Sequence, residues 1–292
     1  MLPPPRSMLF VSGERPDRFP KALAAGADLV CIDLEDAVHP DRKAQARQAA
    51  FSFAAGRDAK QPGARLAIRL NGLRTLEGLA DMSALLASQA RVDYLVLPKV
   101  EHAPDLGLAH AWAADRFDAL VALVETPLGI ERAVSLAASV RDGAPKLAAL
   151  MLGGADLSVE LGCAFGWDGL LSARGRLVNA ARSAGLQAWD VPHLGLDDLP
   201  ALEEETRAVL RLGFACKTAI HPSQVAAIHA AFVPEPALLE WARTLLDAHA
   251  AMEATPGARG AFLFQGKMVD PPLVAKARRI VQVAGSNPAA GA

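Results

Sequence analysis

Short apolar runs alternate with longer stretches of helical periodicity over most of this 292-residue chain. The runs Ser7–Val11, Leu29–Asp33, Leu66–Leu70, Tyr94–Leu97, Leu120–Val124, Ala148–Leu152, Gln187–Asp190 and Thr218–His221 are predicted strands. Several are continuous in Val, Ile, Leu and Ala, the pattern of parallel strands buried on both faces. Between them, Arg42–Phe53, Leu128–Val140, Leu171–Ala184 and Leu199–Leu212 carry apolar residues at helical spacing. Eight successive strand-then-helix units favour an α/β fold closed as a (β/α)8 TIM barrel, with an open doubly wound sheet as the alternative. Pro16, Pro104, Pro222 and Pro236 stand where helices can begin, because the first turn tolerates a missing N–H.

Beyond the eighth unit the pattern changes, which divides the chain into a barrel over 1–235 and a helical extension over 236–292. Pro236–Glu253 reads as a helix and Ala254–Gly260 as a small-residue linker. The segment AFLFQGKMVD and a helix over Pro272–Val283 follow. The tail SNPAAGA is short, small and polar, and is expected to be disordered. The extension is too short to build a core alone, so it is expected to pack on the barrel or on a neighbouring subunit. There is no internal repeat.

A hydrophobic fraction of 52% supports a large core, and no apolar run reaches the roughly 18 residues of a membrane span. The opening MLPPPRSMLF lacks the long apolar stretch and cleavage site of a signal peptide. A net charge of -2 leaves no electrostatic footprint for nucleic acid or an anionic membrane. Cys31, Cys163 and Cys216 are far apart and show no CxxC spacing. They read as small hydrophobes in a reducing, cytoplasmic setting.

In a barrel of this kind chemistry collects at the C-terminal ends of the strands, and there the sequence is rich in ionisable groups. The second strand runs into Asp33, Glu35 and Asp36, the third into Arg69 and Asn71, and the fourth into Pro98 and Lys99. The fifth reaches Glu125 and Thr126, the sixth Asp156 through Gly153 and Gly154, the seventh Asp190, and the eighth Lys217 and His221. Glu125 and Asp156 are the leading metal candidates: two carboxylates on adjacent strands repel unless a cation lies between them. An all-oxygen pair suits a hard ion such as Mg2+, with Mn2+ able to replace it. The alternative is that one of them pairs structurally with Arg69. Arg69 can bind a carboxylate or a ketone oxygen and hold the oxyanion formed there. It can also serve as a charge partner for Glu35 or Asp36, which join it as candidate catalytic residues. His221, just before Pro222, reads as a shaper of its turn.

These residues sit in a series of motifs. RSMLFVSG, DLVCIDLEDAV, the Lys43–Arg47 pair of RKAQAR, IRLNG, LPKV, VETPLGI, LGGADLS, AARSAGLQAWD and LGFACKTAIHPSQV follow one another from about Arg6 onward. In this order the chain resembles citrate lyase β-subunit-like proteins of the HpcH/HpaI aldolase group, which also contains malyl-CoA and citramalyl-CoA lyases. The resemblance implies that Arg69 contacts an oxo-acid and Glu125 helps to bind it. It also implies that Glu125 and Asp156 bind Mg2+, and that a coenzyme A thioester is a substrate. The GKMVD segment places on Asp270 the family's late aspartate, which reaches the neighbouring subunit's site and exchanges a proton with the thioester methyl carbon. A homotrimer or dimer of trimers is implied. Ser12 stands in FVSG where the family usually has proline, which loosens the expectation for that loop's contacts to coenzyme A. Arg6 near this loop is a candidate for a coenzyme A phosphate, with plain surface solvation as the alternative. Three other functions stay open: a citrate lyase β subunit acting on an acyl-carrier-protein thioester, a coenzyme A-independent class II pyruvate aldolase, and a catalytically idle barrel subunit.

Overall fold

Along the strands the alternate residues that turn inward are apolar, and on β2, β3 and β5 the same register continues into Asp33, Arg69 and Glu125 at the C-terminal end, so one phase builds both core and site. The computed structural model describes residues 4–57, 63–139, 146–254 and 260–285. Eight parallel strands close in sequence order: β1 (Ser7–Ser12), β2 (Leu29–Asp33), β3 (Arg65–Arg69), β4 (Val92–Leu97), β5 (Phe117–Val124), β6 (Leu147–Leu152), β7 (Gln187–Asp190) and β8 (Cys216–Ala219). The closure is the pairing of β1 with β8, Met8 opposite Thr218. The barrel is therefore the answer, and the open sheet is excluded.

The interior is packed. Cys31, Ala67, Val96, Leu123, Met151 and Trp189 belong to one buried cluster, with the Trp189 and Tyr94 rings edge to face at 5.5 Å. Around the strands lie α1 (Phe19–Leu23), α2 (Lys43–Gly56), α3 (Leu76–Ala87), α4 (Ala103–Ala113), α5 (Pro127–Ala138), α6 (Gly154–Leu161), α7 (Trp167–Ser183), α8 (Leu199–Leu212) and α9 (Gln224–Ala231). Their starts are written locally. Thr126 accepts from Gly129 N at 3.0 Å with Pro127 as first helical residue, and Asp198 accepts from Ala201 N at 3.1 Å ahead of Pro200.

Two expectations shift. The eighth strand begins at Cys216 rather than Thr218, which brings Lys217 into the ladder. Pro222 does not open a helix; α9 starts at Gln224, whose Oε1 accepts from Ile220 N and His221 N.

The chain divides between Ile228 and His229 into two compact units. The second contains α10 (Pro236–Glu253), an antiparallel hairpin of β9 (Phe262–Phe264) and β10 (Lys267–Val269), and α11 (Pro271–Gly285). Gln265 and Gly266 turn the hairpin with φ of 50° and 74°, the conformation of a tight two-residue connection. This unit has an apolar cluster of its own around Ala242, Leu245, Val269, Val274 and Ala277, contrary to the expectation that it is too small for one. Residues 255–259 of the expected linker, Val140 of the expected fifth helix and the tail SNPAAGA lie outside the described residues. Among the described residues no helix is long and apolar enough to cross a membrane.

Candidate active site

The inward register carries directly into the site. Asp33 stands two residues beyond Cys31, Arg69 two beyond Ala67, Glu125 two beyond Leu123 and Gly153 two beyond Met151, so all four sit on the barrel mouth above the core. Arg69 is buried there. Its Nε donates to Asp33 Oδ1 at 2.8 Å and its NH2 to Asp33 Oδ2 at 2.6 Å, a two-pronged grip that fixes the guanidinium plane. The remaining nitrogen lies 2.9 Å from Glu35 Oε2 and 3.6 Å from Asp36 Oδ2. The Glu35 contact is an ion pair rather than an aligned hydrogen bond, and Oε2 has no hydrogen-bond partner although it is buried. Beneath the guanidinium lies the Phe10 ring, 5.3 Å away.

Lys99 joins the other acids. Its backbone has φ 52°, an uncommon conformation for a non-glycine residue. With this geometry the amide donates to Glu125 Oε1 at 2.8 Å, while the side chain turns across the mouth. The ammonium lies 2.8 Å from Glu35 Oε1, 3.1 Å from Asp156 Oδ2 and 3.7 Å from Asp36 Oδ1. Lys99 thus touches acids contributed after β2, β5 and β6. Asp156 lies in the first turn of α6 rather than at the strand end itself. Gly153 is obligatory at this point: a Cβ would overlap that of Glu125 and come within 2.5 Å of its Oε2.

Five carboxylates here face two cations. Burial, followed by the nearby charge of Glu35, pushes the Glu125 carboxyl up to about 8. Burial likewise raises Glu35, against the pull of Arg69 and Lys99. For Arg69 burial acts downward but is outweighed by Asp33, Glu35 and Glu125, and the net shift is upward. A mouth so short of positive charge, with the carboxylates of Glu125 and Asp156 both meeting Lys99, fits a divalent hard cation. Among the described residues no group of three or more His, Cys, Asp or Glu converges as a metal cage. The fit is therefore to an ion that takes two carboxylates and fills its other positions with water and substrate oxygens.

A second layer holds the loops. Lys43 Nζ donates to the carbonyls of Leu34 and Glu35 and to Asn71 Oδ1, at 2.8, 2.6 and 2.7 Å. Asp81 Oδ2 accepts from Asn71 N and Nδ2, both at 2.7 Å, and Arg47 pairs with Asp81 and Glu77. The Lys43–Arg47 pair and Asn71 therefore position the ends of β2 and β3. Ser12 Oγ donates to Ala37 O at 2.6 Å and ties the first loop to the second.

Several candidates lie elsewhere. Asp190 and Lys217 form a sealed network with Arg174 and Glu205: Lys217 Nζ is 2.7 Å from Asp190 Oδ2 and Arg174 Nε 2.8 Å from Asp190 Oδ1. His221 Nδ1 is 2.7 Å from Ser223 Oγ and accepts from Ser223 N, within its own turn. Arg6 lies away from this mouth. It precedes β1 at the opposite end of the barrel, where Nε and NH2 donate to the two oxygens of Asp28 at 2.9 Å each. Asp270 is exposed in the second unit, and its Oδ1 accepts from Leu273 N at 3.3 Å at the start of α11. Asp33 and Lys99 received no role from the motifs. Their signal was present: Asp33 and Glu35 share one face of an extended segment, and Lys99 follows Pro98 at a strand end.

The HpcH/HpaI aldolase/citrate lyase family model matches residues 6–222. The mitochondrial citramalyl-CoA lyase of Rattus norvegicus is 29% identical over 305 residues, covering 97% of this chain and 87% of that protein. The (3S)-malyl-CoA thioesterase of Cereibacter sphaeroides is 34% identical over 270 residues, covering 91% and 90%. Among solved structures, the protein CitE from Mycobacterium tuberculosis in complex with magnesium, acetoacetate and coenzyme A superposes with a TM-score of 0.82 at 32% identity, over 97% of this chain and 99% of that one. The inward acids and arginine of the barrel mouth are thus found in a chain that belongs to the HpcH/HpaI aldolase/citrate lyase family.

Proposed function

We propose that this chain is a Mg2+-dependent carbon–carbon lyase. It cleaves or forms a 3-hydroxyacyl-CoA-type thioester such as malyl-, citramalyl- or citryl-CoA, with acetyl-CoA or a related acyl-CoA and an oxo-acid on the other side of the equation. The observation that carries the reading is the convergence of Glu125 and Asp156 on one residue, Lys99, beside the clamped fork of Arg69. Relatives named for citramalyl-CoA and malyl-CoA, and a solved neighbour with magnesium and coenzyme A, support it.

Glu125 and Asp156 hold the metal, which when bound polarises the oxygen of the oxo-acid. Arg69, its plane fixed by Asp33, orients the oxo-acid and stabilises negative charge on the reacting oxygen. Glu35, with Asp36 beside it, stands between Arg69 and Lys99 and takes the hydroxyl proton in the cleavage direction. The carbon–carbon bond then breaks, its electrons pass to the thioester enolate, and a proton supplied by Asp270 completes the acyl-CoA methyl group. Condensation is the same path reversed. Asp270 acts in a neighbouring subunit of a homotrimer or dimer of trimers. Free Cys31, Cys163 and Cys216 suit a cytoplasmic enzyme.

Purified protein with Mg2+ is tested against the three thioesters, following oxo-acid and free coenzyme A separately. The lyase releases oxo-acid and acyl-CoA in equal amounts without free coenzyme A. Hydroxy-acid plus free coenzyme A would instead assign thioester hydrolysis, the reading favoured by the thioesterase relative, and no product from any thioester would overturn the proposal. Mixing Asp270→Asn with Glu125→Gln tests the shared site. Activity returns on subunit exchange if Asp270 works in trans, and stays absent if it does not.

A further inference from the structure

The two cations of the barrel mouth are not alike. Arg69 is gripped by Asp33 on two edges, lies over Phe10 and is buried. Lys99 is fixed at its backbone, where the amide donates to Glu125 Oε1, and its ammonium rests on single oxygens of Glu35 and Asp156 rather than in a two-edged clamp. Its ammonium stands at the end of a flexible four-carbon stem and is 44% exposed, against 11% for Arg69. Arg69 is a fixture, whereas Lys99 is free to move its charge.

That charge stands where the proposed metal ligand is. Lys99 Nζ lies 3.1 Å from Asp156 Oδ2. A Mg2+ ion binds carboxylate oxygen at about 2.0–2.1 Å and demands near-octahedral geometry, so a dication on that oxygen and an ammonium at hydrogen-bond distance from it are strongly repelled. The ammonium has somewhere to go. Glu35 Oε1 holds it at 2.8 Å, and Asp36 Oδ1, half-exposed, is already 3.7 Å away. A small rotation of the stem away from Asp156 keeps the Glu35 contact and gains Asp36.

We propose that the Lys99 ammonium competes with the divalent cation for Asp156, so that metal loading is an exchange of one cation for another and Lys99 sets the affinity. The inference rests on the metal assignment to Glu125 and Asp156 made above. Lys99 is in this sense a positioning residue: it neutralises Asp156 and Glu35 until the metal takes its place, while its backbone keeps Glu125 aimed inward. The strained backbone belongs to this arrangement, because the amide and the side chain of one residue must serve acids on different strands.

The test is Mg2+ binding to the full chain by titration calorimetry, with Lys99→Met and Lys99→Gln compared with wild type and Glu125→Gln as the control that loses a ligand. Both Lys99 variants keep a Cβ and leave the backbone requirement unchanged. Removing a competing unit charge a few ångströms from the ion should tighten Mg2+ binding about tenfold, whatever happens to turnover. A second readout needs no activity. In EDTA both variants should melt below wild type, because their acids lack a counter-charge, and added Mg2+ should raise their melting temperature by more than it raises that of wild type. Wild-type binding with unchanged or weaker affinity in both variants overturns the competition alone. Failure of wild type and variants alike to bind Mg2+ overturns the metal assignment and the inference with it.

Discussion

Two groups of charged side chains lie on this barrel, and the same residue types behave oppositely in them. Around β7 and β8, Asp190, Lys217 and Arg174 are all but fully buried and Glu205 is partly so, with two acids facing two bases. Burial opposes ionisation of Asp190, but Lys217 and Arg174 outweigh it and hold the carboxyl below its ordinary range. Glu205 is lowered for the same reason, mainly by Lys217. Over β2 to β6, five acids face two bases, and burial leaves Glu125 and Glu35 raised instead. A charge cluster that exists for the fold is closed to balance. One that exists for chemistry is left short of positive charge, and a cation and an anionic substrate together can complete it.

The sharpest way to break this comparison is to neutralise one acid in each group. Asp190→Asn leaves Lys217 and Arg174 buried against a partner without charge, a defect that typically costs about 3–5 kcal/mol. Urea unfolding should show that loss, with the turnover of the remaining folded protein preserved. Glu125→Gln should do the reverse in EDTA. At neutral pH a carboxyl raised to about 8 is largely protonated in the folded state, whereas the unfolded chain ionises it, so folding must take up a proton there and the neutral amide leaves stability unchanged or higher. Equal destabilisation by both would erase the distinction.

Next in size is Arg69→Lys. An ammonium cannot keep the two-edged contact with Asp33 and also face a substrate oxygen, and loss of such a donor costs about 10²–10³ in kcat. A variant keeping about half of wild-type kcat would show that Arg69 belongs with Arg174 as a structural cation.

Most of this was legible along the chain, and the gaps have physical causes. Leu29–Asp33 is a continuous apolar run ending in an acid, Gln187–Asp190 a short Ala-Trp pair ending in one, and both strands fall where the pattern puts them. β8 is displaced because Lys217 looks like a residue that bounds a strand; its charge is tolerated inside the ladder because Asp190, 27 positions earlier, and Glu205 meet it. The mouth was visible as a ring of ionisable strand ends, but its division was not. Whether an acid is balanced depends on which side chains meet across strands, so Asp190 and Lys217 read like Asp33 and Lys99 until the barrel closes. The clamp of Asp33 on Arg69 was hidden for the same reason, and Glu35 and Asp36 were the partners the chain suggested. The hairpin of the second unit was overlooked because its strands are only three residues long.

Acid should separate the two groups more gently. Asp190 and Glu205 are held below their ordinary values of 3.8 and 4.5. The folded state therefore binds fewer protons at these sites than the unfolded chain. Their stabilisation is complete above the ordinary values and is lost as pH falls toward the depressed ones. Urea midpoints measured from about pH 7 to about pH 3 should decline in wild type and decline less steeply in an Asp190→Asn, Glu205→Gln double variant. Parallel slopes would mean that the sealed network does not couple to protons as its geometry requires.

The smallest effect is expected at Arg6, which tests whether position in the barrel outranks position in the sequence. Arg6 belongs to the first motif and lies close in the chain to the loop after β1, but a six-residue strand separates them, about 20 Å of extended chain. All eight strands run in parallel toward the mouth, so Arg6 stands at the far end. There its guanidinium and its own amide converge on Asp28, and its carbonyl accepts from Lys217 N at 3.0 Å. Both side chains of the pair are partly solvated, at 28% and 23% exposure, which limits the contribution of such a bridge to at most about 1 kcal/mol. Arg6→Ala should lower stability by no more than that and leave the KM for an acyl-CoA substrate unchanged. A several-fold rise in KM, without loss of folded protein, would require coenzyme A to reach the end of the barrel opposite Glu125 and Arg69, and would detach the thioester from the acids that the barrel mouth assembles.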